Sequence, residues 1–283
     1  MREFAGRVAV ITGGASGIGY AIAARLAREG CRLALADIEE PALERAERTL
    51  RDAGAEVLAV RTDVSRLDDV QYLAERTLAA YGAAHIVCNN AGVAAGIGPM
   101  WKISARAWDW TLGVNLNGVI NGVRVFVPIL LEQDEGHVMN TASAAGLVAF
   151  PFAAPYGISK FGVVALSEAL AAELEAARAN VKVSVLCPAY VATRIAETRN
   201  LPPELAAEYA AAGPPSPAVK KRLEDIARGV AAGMPPEQIA GAVFAAIRDE
   251  RFYILTHDEM RPLIEARMRA VLEGGAPPRI GAS

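Results

Sequence analysis

Near its N-terminus the chain carries an apolar run, a glycine-rich turn and a helical pattern in an order that few folds accommodate. Residues 7–12 have the length and composition of a buried strand, and the sequence GGASGIG follows at once at positions 13–19. The helical pattern runs from Tyr20 to Glu29 and ends at Gly30, a residue type that closes helices. Such a turn lets backbone N–H groups approach a pyrophosphate at the positive end of a helix. A glycine turn that binds no ligand is the alternative.

Apolar strand candidates alternate with helical patterns along the rest of the chain. This alternation predicts an α/β fold, a Rossmann-like doubly wound parallel sheet with helices on both faces. No repeat or linker divides the chain, so a single domain over residues 1–283 is expected. Strands are predicted near residues 7–12, 32–36, 56–61, 85–88, 137–141, 181–187 and 252–256.

An acidic residue, Asp37, ends the second predicted strand, about twenty residues beyond the glycines. A carboxylate at this point can accept both hydroxyls of an adenosine ribose and repel a 2′-phosphate. The neighbouring Ser16 and Ile38 are not basic, which favours NAD over NADP. A carboxylate that caps the following helix, with Pro41 in its first turn, is the structural alternative.

Three side chains further along the chain are spaced to act on one oxygen atom. Tyr156 and Lys160 share a face if they lie on a helix, and Ser143 precedes the tyrosine by thirteen residues. A phenol has a pKa of about 10, and a fixed cation beside it favours the phenolate. The pair is therefore suited to exchange a proton with an alcohol or carbonyl oxygen that Ser143 holds by a hydrogen bond. Taken alone, this spacing is weak evidence, because many helices carry it by chance.

Together these motifs resemble those of the short-chain dehydrogenase/reductase family, in its compact branch, over nearly the whole chain. The family's glycine motif corresponds to residues 12–19, and its NNAG motif, which stabilises the central sheet, to residues 89–92. The resemblance implies a catalytic tetrad of Asn115, Ser143, Tyr156 and Lys160.

The same resemblance implies roles around a bound dinucleotide. The pair Asp63 and Val64 would contact the adenine ring, and the Thr193 hydroxyl would bind the nicotinamide carboxamide. Asn115 would kink a long helix and hold a water that leads to the lysine. The implied cofactor site consists of Gly13, Ser16, Gly17, Ile18, Gly19, Asp37, Asp63, Val64, Asn90, Ala91, Gly92, Tyr156, Lys160 and Thr193.

One position departs from the family pattern. Ala189 follows Pro188 where the family usually has glycine. Alanine tolerates a positive φ poorly, so the departure puts the geometry of this turn in question.

The implied activity is NAD-dependent interconversion of a secondary alcohol and its ketone by hydride transfer. An apolar, partly aromatic pocket is expected, which suits a hydrophobic alcohol better than a sugar or a carboxylate. A narrower similarity of residues 108–127, 140–143, 252–257 and 265–267 to bacterial Cα-dehydrogenases of lignin-derived aryl ethers favours an aryl alcohol. The alternatives are an NADPH-dependent carbonyl reductase and a non-catalytic dinucleotide-sensing protein. The pocket walls are predicted to include Met100, Trp101, Leu147, Phe150 and Phe152.

A long insertion, residues 194–236, is predicted to form a substrate-binding lid, because long loops in compact domains are usually functional. Its basic run, residues 220–222, is interpreted as a solvated helix face. Trp108 and Trp110 are interpreted as helix-packing residues.

The composition of the chain restricts the kinds of molecule that it is expected to bind. A net charge of −3 argues against a nucleic-acid binder, and no uninterrupted apolar run approaches the length of a membrane span. Residues 1–7 lead directly into the first strand, so a cytoplasmic protein is expected. The three cysteines and three histidines show no metal-ligand spacing, and no metal is expected. Two largely apolar helices, near 108–132 and 154–177, predict a homodimer or homotetramer.

Overall fold

The predicted parallel sheet is confirmed in a computed structural model of the protein, which describes residues 1–195 and 201–278. In this part of the chain seven parallel strands form one sheet in the order β3–β2–β1–β4–β5–β6–β7. The strands are β1 (Val8–Thr12), β2 (Arg32–Asp37), β3 (Val57–Arg61), β4 (Ile86–Asn89), β5 (Gly136–Thr141), β6 (Val181–Leu186) and β7 (Tyr253–Ile254). β7 is shorter than predicted and pairs only with β6 at the edge of the sheet.

Helices cover both faces of the sheet, as the doubly wound arrangement requires. One buried core joins β1 and β2 to α1, α2 and α9, and a second core on the opposite face joins the strands to α3, α5 and α6. The helices are α1 (Gly17–Arg28), α2 (Glu40–Asp52), α3 (Leu67–Tyr81), α4 (Ala105–Leu112), α5 (Gly118–Glu132), α6 (Ala154–Ala176), α7 (Pro203–Ala211), α8 (Pro217–Ala231), α9 (Pro236–Arg248) and α10 (Arg261–Glu273).

The predicted end of the first helix is confirmed. Gly30 follows α1 with a φ of 82°, in the left-handed region that glycine enters at little cost. Its N–H donates to the Ala27 carbonyl, which closes the last turn.

α4 and α5 form one long helical stretch, Ala105–Glu132, interrupted by a π turn at Gly113–Asn117. By length and composition this stretch could cross a membrane, a test that the core helices of water-soluble proteins also pass. Of its most apolar window, 44% is buried inside the protein, against α3, α6 and the sheet.

Asparagine side chains tie the central strands together at their carboxyl ends. Asn89 Nδ2 donates to Asn140 Oδ1 at 2.9 Å, which links β4 to β5. Asn90 Nδ2 donates to the Thr12 carbonyl at 3.0 Å, and the Thr141 hydroxyl donates to Asn90 Oδ1 at 3.2 Å. β1, β4 and β5 therefore present a fixed edge at the point where the strand order reverses, the place where open α/β sheets bind ligands.

Candidate active site

A cavity of about 580 Å³ lies beyond the carboxyl ends of the strands. One end contains the glycine turn and the end of β2, and the other contains the Ser143–Tyr156–Lys160 group. Among the predicted site residues, those that line the cavity are Gly13, Ser16, Gly17, Ile18, Asp37, Asp63, Val64, Asn90, Ala91, Gly92, Ser143, Tyr156, Lys160 and Thr193. Gly19 and Asn115 do not line it, and both support residues that do.

The glycine turn needs glycine for two different reasons. Gly13 and Gly17 adopt φ values of 63° and 53°, which disfavour other residues. A Cβ atom on Gly17 would also lie 3.1 Å from Thr193 Cγ2, so the threonine rests against the turn. Gly19 makes close packing possible, because a Cβ there would lie 2.1 Å from the Gly13 carbonyl oxygen.

The start of α1 is open to an anionic ligand. Ser16 is the N-cap residue, but its side chain makes no capping hydrogen bond. The N–H groups in the first turn of a helix have no intrahelical acceptor, and Gly17 and Ile18, at this end of α1, line the cavity. This combination suits a phosphate group.

Asp37 faces the same end of the cavity. Its Oδ2 accepts from the Ala15 N–H and its Oδ1 from the Glu39 N–H, each at 3.1 Å. These bonds fix the carboxylate beside the turn. Asp37 accepts a hydrogen bond just before α2, as the capping alternative requires, but the N-cap residue of that helix is Glu39. Burial raises the pKa of Asp37, and the backbone hydrogen bonds oppose that rise.

Lys160 is a buried cation whose ammonium makes one hydrogen bond within the described residues. Its side chain lies on α6 and is 2% exposed, and Nζ donates to the Thr141 carbonyl at 2.9 Å. Nζ lies 5.6 Å from the centroid of the Tyr156 ring, so the predicted shared helix face is observed. Burial lowers the pKa of Lys160 from 10.5 to about 8.

Tyr156 and Ser143 meet at the inner end of the cavity. Burial raises the pKa of Tyr156, and a hydrogen bond with Ser143 partly offsets the rise. This direction differs from the lowering expected from the sequence, because the phenol is withdrawn from water. The Ser143 hydroxyl also accepts from the Ala145 N–H at 3.1 Å and donates to the Pro188 carbonyl at 3.3 Å.

Asn115 supports this group from behind. It lies in the π turn and is fully buried. Oδ1 accepts from the Val93 N–H at 2.8 Å, and Nδ2 donates to the Val93 carbonyl at 2.9 Å and to Ser159 Oγ at 3.1 Å. Ser159 in turn donates to the Tyr156 carbonyl at 2.6 Å. A Cβ on Gly92 would lie 3.6 Å from both Asn115 Oδ1 and Lys160 Nζ, so these groups flank Gly92.

The turn that contains Ala189 is not strained. Ala189 does not adopt a positive φ, which removes the question that its departure from the family pattern raised. Its N–H donates to His257 Nδ1 at 3.2 Å, and His257 Nε2 donates to the Tyr190 carbonyl at 3.0 Å. The histidine therefore anchors a segment of the cavity wall.

The apolar walls differ in part from the prediction. Phe150 lines the cavity, as expected, and so does Trp110, which the sequence pattern indicates to be a helix-packing residue. Leu147 and Phe152 do not line it. Met100 and Trp101 are also outside it, with 56% and 81% of their surface exposed. Both lie in a one-turn helix, Met100–Lys102, that turns their side chains outward, and sequence pattern does not reveal that orientation.

The insertion that follows Thr193 folds over the cavity. Its residues 196–200 lie outside the described residues. Leu205 of α7 packs against Ala95 and Ala107, and Tyr209 Oη accepts from the Gly96 N–H at 2.8 Å. α8 contributes side chains to the cavity wall, including Arg222. The interpretation of that arginine as part of a solvated face is therefore wrong.

Known proteins match this chain over its full length. The short chain dehydrogenase family matches residues 7–203. A short chain dehydrogenase/reductase from Burkholderia phymatum, solved in complex with NAD, is 43% identical, with full coverage of both chains (100%) and a TM-score of 0.94. The CLA biosynthesis dehydrogenase/reductase of Lactiplantibacillus plantarum is 37% identical over 281 residues, 98% of this chain and 97% of the relative. The C alpha-dehydrogenase of Sphingobium sp. is 31% identical over 281 residues, 98% of this chain and 89% of the relative.

The chain therefore belongs to the short-chain dehydrogenase/reductase family, an oxidoreductase family of Rossmann-like fold that uses NAD or NADP. The resemblance found in the sequence is confirmed, and so is the weaker similarity to a Cα-dehydrogenase.

Proposed function

We propose that this protein interconverts a hydrophobic secondary alcohol and its ketone, with NAD as the cofactor. The observation that carries the proposal is the meeting of Ser143, Tyr156 and Lys160 at the inner end of a cavity whose other end contains the glycine turn and Asp37. A non-catalytic dinucleotide sensor has no need of a buried lysine beside a tyrosine, since a buried cation costs stability.

The residues at the outer end fit a dinucleotide. The open first turn of α1 would hold the pyrophosphate, and Asp37 would accept the ribose hydroxyls. Asp63 and Val64 line the wall where adenine would lie, and Thr193, against the glycine turn, would bind the carboxamide. The chemistry that bound NAD⁺ would supply is acceptance of a hydride from the carbinol carbon. The Burkholderia relative, solved with NAD, supports this choice of cofactor.

The protein supplies the proton chemistry. Ser143 donates a hydrogen bond to the substrate oxygen, and Tyr156 Oη accepts the hydroxyl proton. Because burial raises the pKa of the phenol, ionising it requires nearby positive charge, which Lys160 supplies. Asn115 holds the Val93 segment and, through Ser159, the tyrosine helix in position. We assign the relay of the proton to solvent to the polar path between Lys160 and Asn115 beside Gly92.

The insertion at residues 194–236 acts as a lid in this proposal. Its described part contacts the loop after β4 through Leu205 and Tyr209 and lines the cavity through α8. A lid that excludes water strengthens the electrostatic interactions at the reacting oxygen.

The test is reduction of NAD⁺, and separately of NADP⁺, by a panel of aryl, alicyclic and aliphatic secondary alcohols, followed by nicotinamide absorbance. Turnover with NAD⁺ that is lost in Tyr156→Phe supports the proposal. Turnover with NADP⁺ alone would favour the carbonyl-reductase alternative. No turnover with either cofactor, despite tight NADH binding, would favour the sensing alternative.

A further inference from the structure

Arg222 is a cation on the substrate side of the cavity. It lies on α8 with Ile226 and Val230, at positions that share one helix face, and all three side chains line the cavity. Its guanidinium carbon lies 5.4 Å from the centroid of the Phe150 ring, and Phe150 follows the segment that contains Ser143. Arg194 also lines the cavity, but it borders a second, smaller cavity with Ser16 and so lies at the glycine-turn end.

The charge of Arg222 has no carboxylate partner among the described residues. Its Nε is buried and donates no hydrogen bond, and no carboxylate in the described part of the chain pairs with it. Glu259 lines the same cavity, yet no ion pair joins it to Arg222 within the described residues. Other cations of α8 behave differently, since Lys220 pairs with Glu224 and Arg228 with Asp225 on the exposed face.

A buried Nε–H group without an acceptor is costly, because it loses its hydrogen bond to water and gains none in return. The Phe150 ring offers its face to the guanidinium, which leaves the N–H edge of the planar group free. That edge matches a carboxylate, which accepts two parallel hydrogen bonds from arginine.

We propose that Arg222 binds a carboxylate of the substrate, and that the substrate class is an apolar hydroxy or oxo carboxylic acid. The reacting oxygen would lie at Ser143 and Tyr156, and the acid group would lie under α8. This inference rests on the proposed function for the reacting end only. It differs from the neutral hydrophobic alcohol expected from the sequence, because the largely apolar cavity wall includes a cation.

Arg222 has a competing structural role, that of holding α8 closed by stacking on Phe150. The two roles are separable. An arginine that only holds α8 against Phe150 would support the binding of any ligand equally, whereas an anion site discriminates between ligands by charge. A straight-chain carboxylate and its methyl ester share their apolar body and differ in that charge.

The experiment is isothermal titration of the NADH-loaded protein with hexanoate, octanoate, decanoate and dodecanoate, and with their methyl esters. In the wild-type protein at least one carboxylate is expected to bind about tenfold or more tighter than its ester. Arg222→Gln is expected to abolish this preference for the carboxylate over its ester, and Arg222→Lys to retain part of it. Arg228→Gln, on the exposed face of the same helix, is the matched control and is expected to retain it fully.

Equal affinity for acid and ester in the wild type would overturn the proposal, as would a loss of both ligands in equal proportion in Arg222→Gln. Failure of the proposed function has a different signature. An arginine-dependent preference for carboxylates without oxidation of any secondary alcohol would retain the anion site and reject the dehydrogenase. Oxidation of neutral alcohols, with an unchanged ratio of acid to ester affinity in Arg222→Gln, would retain the dehydrogenase and reject the anion site.

Discussion

At the scale of single residues, the burial of Lys160 in the candidate site lowers the stability of the folded protein. Its ammonium is buried and donates to the Thr141 carbonyl, and its pKa is lowered from 10.5 to about 8. Below the folded-state pKa the group is charged in both the folded and the unfolded states, so the folded protein bears the full cost of burying the charge. From the shift, that cost is about 3 kcal/mol. Above that pKa the lysine loses its proton in the folded state before it does so in the unfolded state, and the free-energy cost of burying the charge declines.

Replacing the lysine with methionine should therefore stabilise the protein while lowering its activity. Lys160→Met is expected to raise the free energy of unfolding near pH 7 by about 2 kcal/mol, after allowance for the lost hydrogen bond to Thr141. The measurement is denaturant unfolding at neutral pH and again near pH 9. The gain over the wild type should narrow at the higher pH, and a constant gain would show that the charge is not its source.

The phenol of Tyr156 predicts opposite pH dependences for the two directions of the reaction. Alcohol oxidation needs the ionised tyrosine as base, so kcat/KM for oxidation should rise with pH, while ketone reduction should fall. Loss of the Lys160 cation should move both profiles to higher pH, because burial already raises the pKa of the phenol. Rates measured across pH in the wild type and in Lys160→Met test this. An unshifted profile in the variant would show that the lysine does not influence the ionisation of Tyr156.

In the proposed function the preference for NAD over NADP depends on Asp37. Asp37→Ala removes two acceptor oxygens and the charge that would repel a 2′-phosphate, so the preference for NADH over NADPH should fall by about tenfold or more. Fluorescence titration of both cofactors measures the ratio. Asp52→Ala, at the far end of α2, is a control that should leave it unchanged. An unchanged ratio in Asp37→Ala would assign the discrimination to another residue.

At the scale of elements, the π turn at Asn115 connects the long helix, Ala105–Glu132, to α6. Asn115→Ala leaves both backbone polar groups of Val93 without their partner and removes the bond to Ser159. We expect a loss of about 2 kcal/mol or more in unfolding free energy, together with lower kcat. Asn117→Ala, at an exposed position of the same turn, should change stability by less than about 0.5 kcal/mol. Equal effects in the two variants would contradict this role.

The segment after β6 shows a second kind of element-scale support. Pro188, Ala189 and Tyr190 are held on one side by Ser143 and on the other by His257. Two imidazole bonds fix a turn in which the family usually has glycine. The backbone avoids a positive φ here, so alanine is accommodated without strain.

At the scale of the whole molecule, α6 and the Ala105–Glu132 stretch leave apolar surface that the single chain does not cover. On α6 the exposed residues include Ala165, Ala169 and Ala172, which form a stripe of small side chains. Such a stripe permits close approach of a second helix. We therefore propose that the protein is a homodimer or homotetramer that buries this face.

A charge on that stripe should separate the subunits. Ala169→Arg is expected to reduce the mass measured by multi-angle light scattering toward that of one chain, with an unchanged circular dichroism spectrum. Ala79→Arg, on the exposed face of α3, is the control and should keep the wild-type mass. A wild-type protein that is already monomeric at micromolar concentration would reject the assembly.

Local sequence by itself determined the order of strands and helices, the glycine turn, and the spacing that places Tyr156 beside Lys160. These depend on short-range sterics and on periodicity, which act between neighbours in the chain. Tertiary structure alone decided that Arg222 faces the cavity, that Met100 and Trp101 do not, and that His257 anchors the Ala189 turn. Those placements depend on how distant segments pack, and the same residue types are equally compatible with a solvated surface until that packing is formed.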